Sequence, residues 1–180
     1  MIRDEDLKSS IDYSEGQKRA AHRVLVELVN VFREYEDEIR VVGGWVPDLM
    51  FPKEGHVGSV EAERPDGAID VANVSVVAVV PYLIMKTAAM GRGKAKDAYD
   101  IYFIIKHYIG GVRELAKEFE PVRDKNIVIE AKDKLAGKFA SENHAGPKDV
   151  VDFMDLEDEE GIEMTRRDAY EQVQALLNLI

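Results

Sequence analysis

Cysteine is absent from the 180-residue chain, which excludes disulfides and thiolate-held metal. No apolar run is long enough to cross a bilayer. The opening MIRDEDLKSS is acidic and polar, unlike the basic and then apolar start of a signal peptide. These absences predict a cytoplasmic protein with no membrane partner. An excess of positive charge is missing too. Lys and Arg number 24 against 35 Asp and Glu, a formal net charge of −11. That balance speaks against broad electrostatic binding to nucleic acid. His22, His56, His107 and His144 have no metal-ligand spacing and support no catalytic triad. GRGK, at Gly91 to Lys94, lacks the glycines and the Ser/Thr of a P-loop. No internal repeat or low-complexity tract is present.

What is there is unevenly charged. Ser141 to Glu163 carries nine acids against Lys148, whereas Lys86 to Lys106 carries five bases against Asp97 and Asp100. Solvated loops of either sign account for both. Ser14-Glu15-Gly16-Gln17 has the form of a capping box, and Ala21, Val24, Leu25, Leu28, Phe32 and Tyr35 recur behind it at helical spacing. An amphipathic helix is therefore expected over Glu15 to Glu36. Ile39 to Val42 reads as a short buried strand, ended by Gly43-Gly44, with a helical turn from Trp45 to Met50 and a stop at Pro52. A short strand is expected around Val57 to Ala62. The β-branched stretch Ala68 to Val80 reads as strand, and Pro81 opens a helix to Gly91. Further helices are expected at Ala95–Tyr108, Val112–Phe119, Lys125–Phe139, Pro147–Met154 and Thr165–Ile180. The result is a small strand set followed by helices.

Several groups point to phosphate chemistry. Glycines at 43 and 44 allow close backbone approach after a strand, although a tight turn uses them for geometry alone. Glu61 and Glu63 follow Gly58-Ser59 at i and i+2. On a strand they share a face, where two carboxylates can grip Mg²⁺ from one side. Two solvated acids have the same spacing. Lys86 follows Leu83-Ile84-Met85 and can hold a triphosphate as a point charge, or snorkel at the surface. Asp97 and Asp100 share a helix face, and Lys96 pairs with Asp100 four residues on. This is the floor of a phosphate site or an exposed ion-pair network.

Taken together, GGWVPDLMFP...HVGS, VVPYLIMKTAAMGRGKAKDAYDIYF and the closing RRDAYEQVQALL resemble the AbiEii/MenT-type nucleotidyltransferases. These are toxins of type IV toxin–antitoxin and abortive-infection systems, within the polymerase-β-like superfamily. The resemblance implies Mg²⁺-dependent transfer of a nucleotide from an NTP to an acceptor, an RNA such as a tRNA 3′ end or a protein. By position, Gly58 and Ser59 would bind the triphosphate and Lys86 would match the family's lysine. Asp97, with Asp100, would match the later aspartate motif. Glu61 and Glu63 fall where the family has its metal-binding Asp-x-Asp.

The chain departs from that pattern twice. The pair is Glu-x-Glu, and RPDGAIDVANVSVV follows it almost at once. That stretch resembles the region just before the lysine helix, so the middle of the catalytic palm is missing. The expected fold is α+β and helix-rich. A truncated nucleotidyltransferase-like sheet with its N-terminal helix fills residues 1–80, and a helical bundle fills 81–180. The expected function is that of a degenerate relative keeping a nucleotide- or partner-binding role. The alternatives are an active Mg²⁺-dependent nucleotidyltransferase and a structural helical interaction protein. Sheet edges left unpaired seek partners, so a homodimer is expected, with a cognate antitoxin as a further partner.

Overall fold

The computed structural model describes residues 15–51, 58–64 and 66–180. Ser14 of the expected capping box, Pro52, His56 and Val57 lie outside them. The chain is helix-rich α+β, with eight α-helices and one two-stranded antiparallel sheet among the described residues. It divides into two compact units, residues 15–78 and 79–180. No helix among the described residues is long and apolar enough to cross a membrane.

In the first unit α1 (Glu15–Val31) runs into a 3-10 turn at Arg33–Tyr35, so the helix stops before the expected Glu36. Val26 is buried, with Leu25 and Val29 packed beside it. The expected stripe faces inward only in part: its Leu25 packs on the core, whereas Val24, Leu28, Phe32 and Tyr35 are exposed. The physical reason is that α1 carries two apolar stripes, and the sheet covers the one through Val26. Ile39 to Val42 forms no strand. Val41 alone makes a parallel bridge to Val76, through its N–H to the Ser75 carbonyl at 2.8 Å and its own carbonyl to Val77 N–H at 3.0 Å. After it comes α2 (Val46–Met50), which buries Val46, Pro47 and Leu49.

The sheet is a ribbon of β1 (Ser59–Glu63) and β2 (Ile69–Asn73), with Glu61 opposite Val71 and Glu63 opposite Ile69. Strand alternation turns Val60, Ala62 and Ala72 onto a small core with Val26 and Leu49. The strand expected to reach Val80 ends at Asn73. Val79 and Val80 already belong to the next helix, where burial outweighs their β preference.

The second unit is a helical bundle. Its first helix is α3 (Val79–Ala89), with Pro81 in the first turn, where a missing N–H costs nothing. A 3-10 turn (Met90–Arg92) leads to α4 (Ala95–His107). Then come α5 (Val112–Phe119), α6 (Asn126–Lys138), α7 (Ala145–Met154) and α8 (Glu159–Leu177). The central helix is α4, which packs against α3, α7 and α8 and buries Ile101, Ile104 and Ile105. Gly146 opens α7 against the Phe139 ring, where a Cβ would lie 2.6 Å from a ring carbon. Only glycine lets the helix approach that closely.

The last helix starts six residues before the expected Thr165. Asp158 caps it by accepting a hydrogen bond from Gly161 N–H at 2.5 Å, and Glu159 and Glu160 fill the first turn. Acids there complement the helix dipole, so part of the acidic run is a helix start rather than a loop.

Candidate functional site

The candidate residues fall into two groups, one in each unit. In the first unit, Gly43 has φ +87° and its carbonyl accepts from Val46 N–H at 3.2 Å. Gly44 follows it in the bend that leads to α2. The helix that these glycines introduce has five residues, and its side chains serve the core. Gly58 has φ +74°, and an added Cβ would lie 2.8 Å from the Val74 carbonyl oxygen. Its N–H donates to the Leu49 carbonyl at 3.0 Å, and its carbonyl accepts from Val74 N–H at 2.6 Å. This glycine therefore closes the end of the ribbon on α2, and that packing accounts for it without a ligand.

Ser59 begins β1 half-buried. Glu61 and Glu63 share the exposed face of β1, as their spacing predicts. Their cross-strand neighbours Val71 and Ile69 are apolar and exposed. Asp70 lies opposite Ala62 and pairs with Arg64 at 3.2 Å. Among the described residues no group of three or more His, Asp or Glu side chains is arranged to hold a metal.

The second group is tightly gathered. Lys86 on α3 reaches across to α4, where its Nζ donates to Asp97 Oδ1 at 2.8 Å and lies 2.6 Å from Asp100 Oδ2. Lys96, one turn before Asp100 on the same helix, donates to Asp100 Oδ1 at 3.0 Å. Arg92 stands 4.0 Å from Asp97 Oδ2. The Lys86, Asp97 and Asp100 side chains are only 11%, 6% and 1% exposed, so the group lies inside the bundle. Burial by itself would lower the Lys86 pKa. The charge of Asp100, its close contact and the Asp97 hydrogen bond outweigh that and hold the ammonium above its ordinary value.

The structure brings Lys86, Asp97, Asp100 and Lys96 together, and the Lys96–Asp100 pair forms as its i,i+4 spacing predicts. The role of Lys86 differs from the expected one. Its ammonium is engaged by two carboxylates instead of pointing at an open cleft. With one positive and two negative charges inside and Lys96 at the rim, the set comes to neutrality. A buried charge needs that compensation. The cluster clamps α3 to α4.

A further network was missed. Tyr102 Oη donates to Asp168 Oδ2 at 2.5 Å, and Lys106 Nζ donates to Tyr102 Oη at 2.7 Å and to Asp168 Oδ2 at 2.6 Å. Gln172 donates to Asp168 Oδ1 at 3.3 Å. Burial raises the Tyr102 pKa, and Asp168 raises it further. Burial works to raise Asp168 as well, but hydrogen bonds from Lys106, Tyr102 and Gln172 bring it below the ordinary carboxylate value. A tyrosine pushed upward is a poor general base. The network reads as a clamp between α4 and α8. The i,i+4 spacings of Tyr102 with Lys106 and of Asp168 with Gln172 were visible in the sequence. The meeting of the two helices was not.

Comparison with protein-family models, curated proteins and solved structures gives no match for this chain.

Proposed function

We propose that the chain is a degenerate relative of the AbiEii/MenT-type nucleotidyltransferases that binds a nucleotide through its phosphates without transferring it. The observation carrying this reading is the double engagement of Lys86 by Asp97 and Asp100 inside the bundle. A lysine so neutralised holds helices together and offers little charge to a γ-phosphate. The bases near the surface lie instead on the turn before α4. Arg92 and Lys94 are exposed and Lys96 stands at the rim of the cluster, a concentration of positive charge in an acidic chain. Phosphate is the chemistry such a turn attracts, and the aspartate cluster behind it fixes its position.

The test has two arms. Calorimetry with each NTP and Mg²⁺ should give binding that weakens in an Arg92→Ala/Lys94→Ala double variant and in high salt. Incubation with labelled NTP, Mg²⁺ or Mn²⁺ and total tRNA should give no transfer. Absence of binding under all conditions removes the nucleotide reading. The second reading, an active Mg²⁺-dependent enzyme, is favoured by one feature, the shared open face of Glu61 and Glu63 on β1. Label transfer that disappears in Glu61→Ala would establish it in place of the first.

A further inference from the structure

The ribbon of the first unit has an open edge. Val74 N–H donates to the Gly58 carbonyl at 2.6 Å and Arg64 N–H to the Ala68 carbonyl at 2.7 Å. The register between these bonds makes Val60 and Ala62 the residues of β1 whose backbone groups face β2. The backbone groups of Glu61 and Glu63 therefore point away from β2. They have no hydrogen-bond partner among the described residues, and neither carboxylate has an ion pair or hydrogen bond there. The same alternation sets both carboxylates on the outer face, with Val60 and Ala62 on the core face. At two alternate positions the edge thus carries an unpaired N–H, an unpaired carbonyl and an unpaired negative charge. Arg64, the next residue, does not neutralise them, since it is paired with Asp70 at 3.2 Å.

An unpaired edge is a template for another strand, and its charges select which strand. Two copies of this chain pairing antiparallel through Glu61 and Glu63 would set carboxylate against carboxylate, and like charges directly opposite are destabilising. A strand with lysine or arginine opposite both glutamates gains two opposite-charge pairs instead. Its intervening side chains then lie on the core face, beside Val60 and Ala62, where aliphatic groups are favoured. We propose that the β1 edge binds an extended segment of another protein in which basic and aliphatic residues alternate, adding it to the ribbon as a third strand. The backbone groups of Glu61 and Glu63 supply the ladder, and their carboxylates supply the selection. This site uses none of the bases assigned to nucleotide binding and stands or falls separately from that reading. It shares its two carboxylates with the metal-dependent reading, so its test is run in EDTA.

The probe is an end-capped heptapeptide alternating lysine and valine, titrated into the full chain at low salt and followed by calorimetry and amide hydrogen exchange. Binding should raise protection at the Glu61 and Glu63 amides and leave Val60 and Ala62, whose amides already face β2, as they were. Glu61→Lys/Glu63→Lys, at two exposed positions, should bind the probe about tenfold more weakly. The same variant should take up a glutamate–valine heptapeptide that the wild type refuses, a gain that an unfolded variant cannot show. No binding to the wild type, protection gained at Val71 or Asn73 on the β2 edge instead, or binding indifferent to the double charge reversal would each overturn the proposal. The last of these is the result expected if the acids between Ser141 and Glu163 attract the peptide by charge alone.

Discussion

The two units of the molecule treat charge and apolar surface in opposite ways. In the helical unit, apolar side chains are largely enclosed, and even a lysine and two aspartates are drawn inside and neutralised. In the ribbon unit the buried hydrophobic side chains come to Val26, Val46, Leu49, Val60, Ala62 and Ala72, while Val24, Leu28, Val31, Ile69 and Val71 remain on the surface. The comparison teaches where each unit's stability resides. The bundle depends on many interdigitated contacts together with one neutral ionic clamp. The ribbon unit depends on a small core and on backbone closures such as that at Gly58. A unit with so little enclosed apolar surface is marginal on its own.

The largest effect that would break this comparison is expected from Lys86→Met. It leaves Asp97 and Asp100 buried with Lys96 as the main compensation and should cost about 3–5 kcal/mol. Denaturant unfolding measures the loss, and a change under 1 kcal/mol would mean that the clamp is solvated and the contrast between the units false. Next comes Gly58→Ala. A Cβ at a left-handed φ and 2.8 Å from the Val74 oxygen should cost roughly 1–3 kcal/mol. Its hydrogen-exchange signature should be confined to residues 15–78, and equal loss of protection in the bundle would show that the units unfold as one.

The smallest effect concerns the α4–α8 clamp. Because the Asp168 pKa is lowered on folding, its stabilising contribution is present above the ordinary carboxylate pKa of ~3.9 and is lost as pH falls through the lower folded value. The raised Lys106 pKa works at the other end. Its contribution is complete below the ordinary lysine value and is lost as pH rises through the folded one. Asp168→Asn should therefore flatten the acid limb of the stability curve measured by thermal melting. An unchanged limb would remove Asp168 from that role.

The same contrast explains what could be read from sequence. Helices α4, α5 and α6 were legible almost to the residue. Gly110-Gly111 and Pro121 mark the breaks between them, although in α6 Ile127 and Ile129 stay exposed while Val128, Ala131 and Leu135 are buried. The periodicity of α1 was equally plain, but two stripes compete there and the sequence does not say which one the ribbon covers. Val74 to Val80 is valine except at Ser75 and Ala78, yet it yields one bridge and a helix start, because its partners are distant in sequence. At the site, Lys96–Asp100 is local and was legible. The Lys86 contacts depend on how α3 crosses α4, and Tyr102 with Asp168 spans 66 residues. No spacing rule reports such meetings.

The neutral set of Lys86, Asp97, Asp100 and Lys96 has a consequence for how this chain can vary. Loss of the lysine alone strands two acids, and loss of one acid unbalances the remainder. Descendants of this sequence should therefore replace these positions as a block, exchanging the whole ionic set for apolar side chains of similar volume, and intermediates with one member missing should be rare.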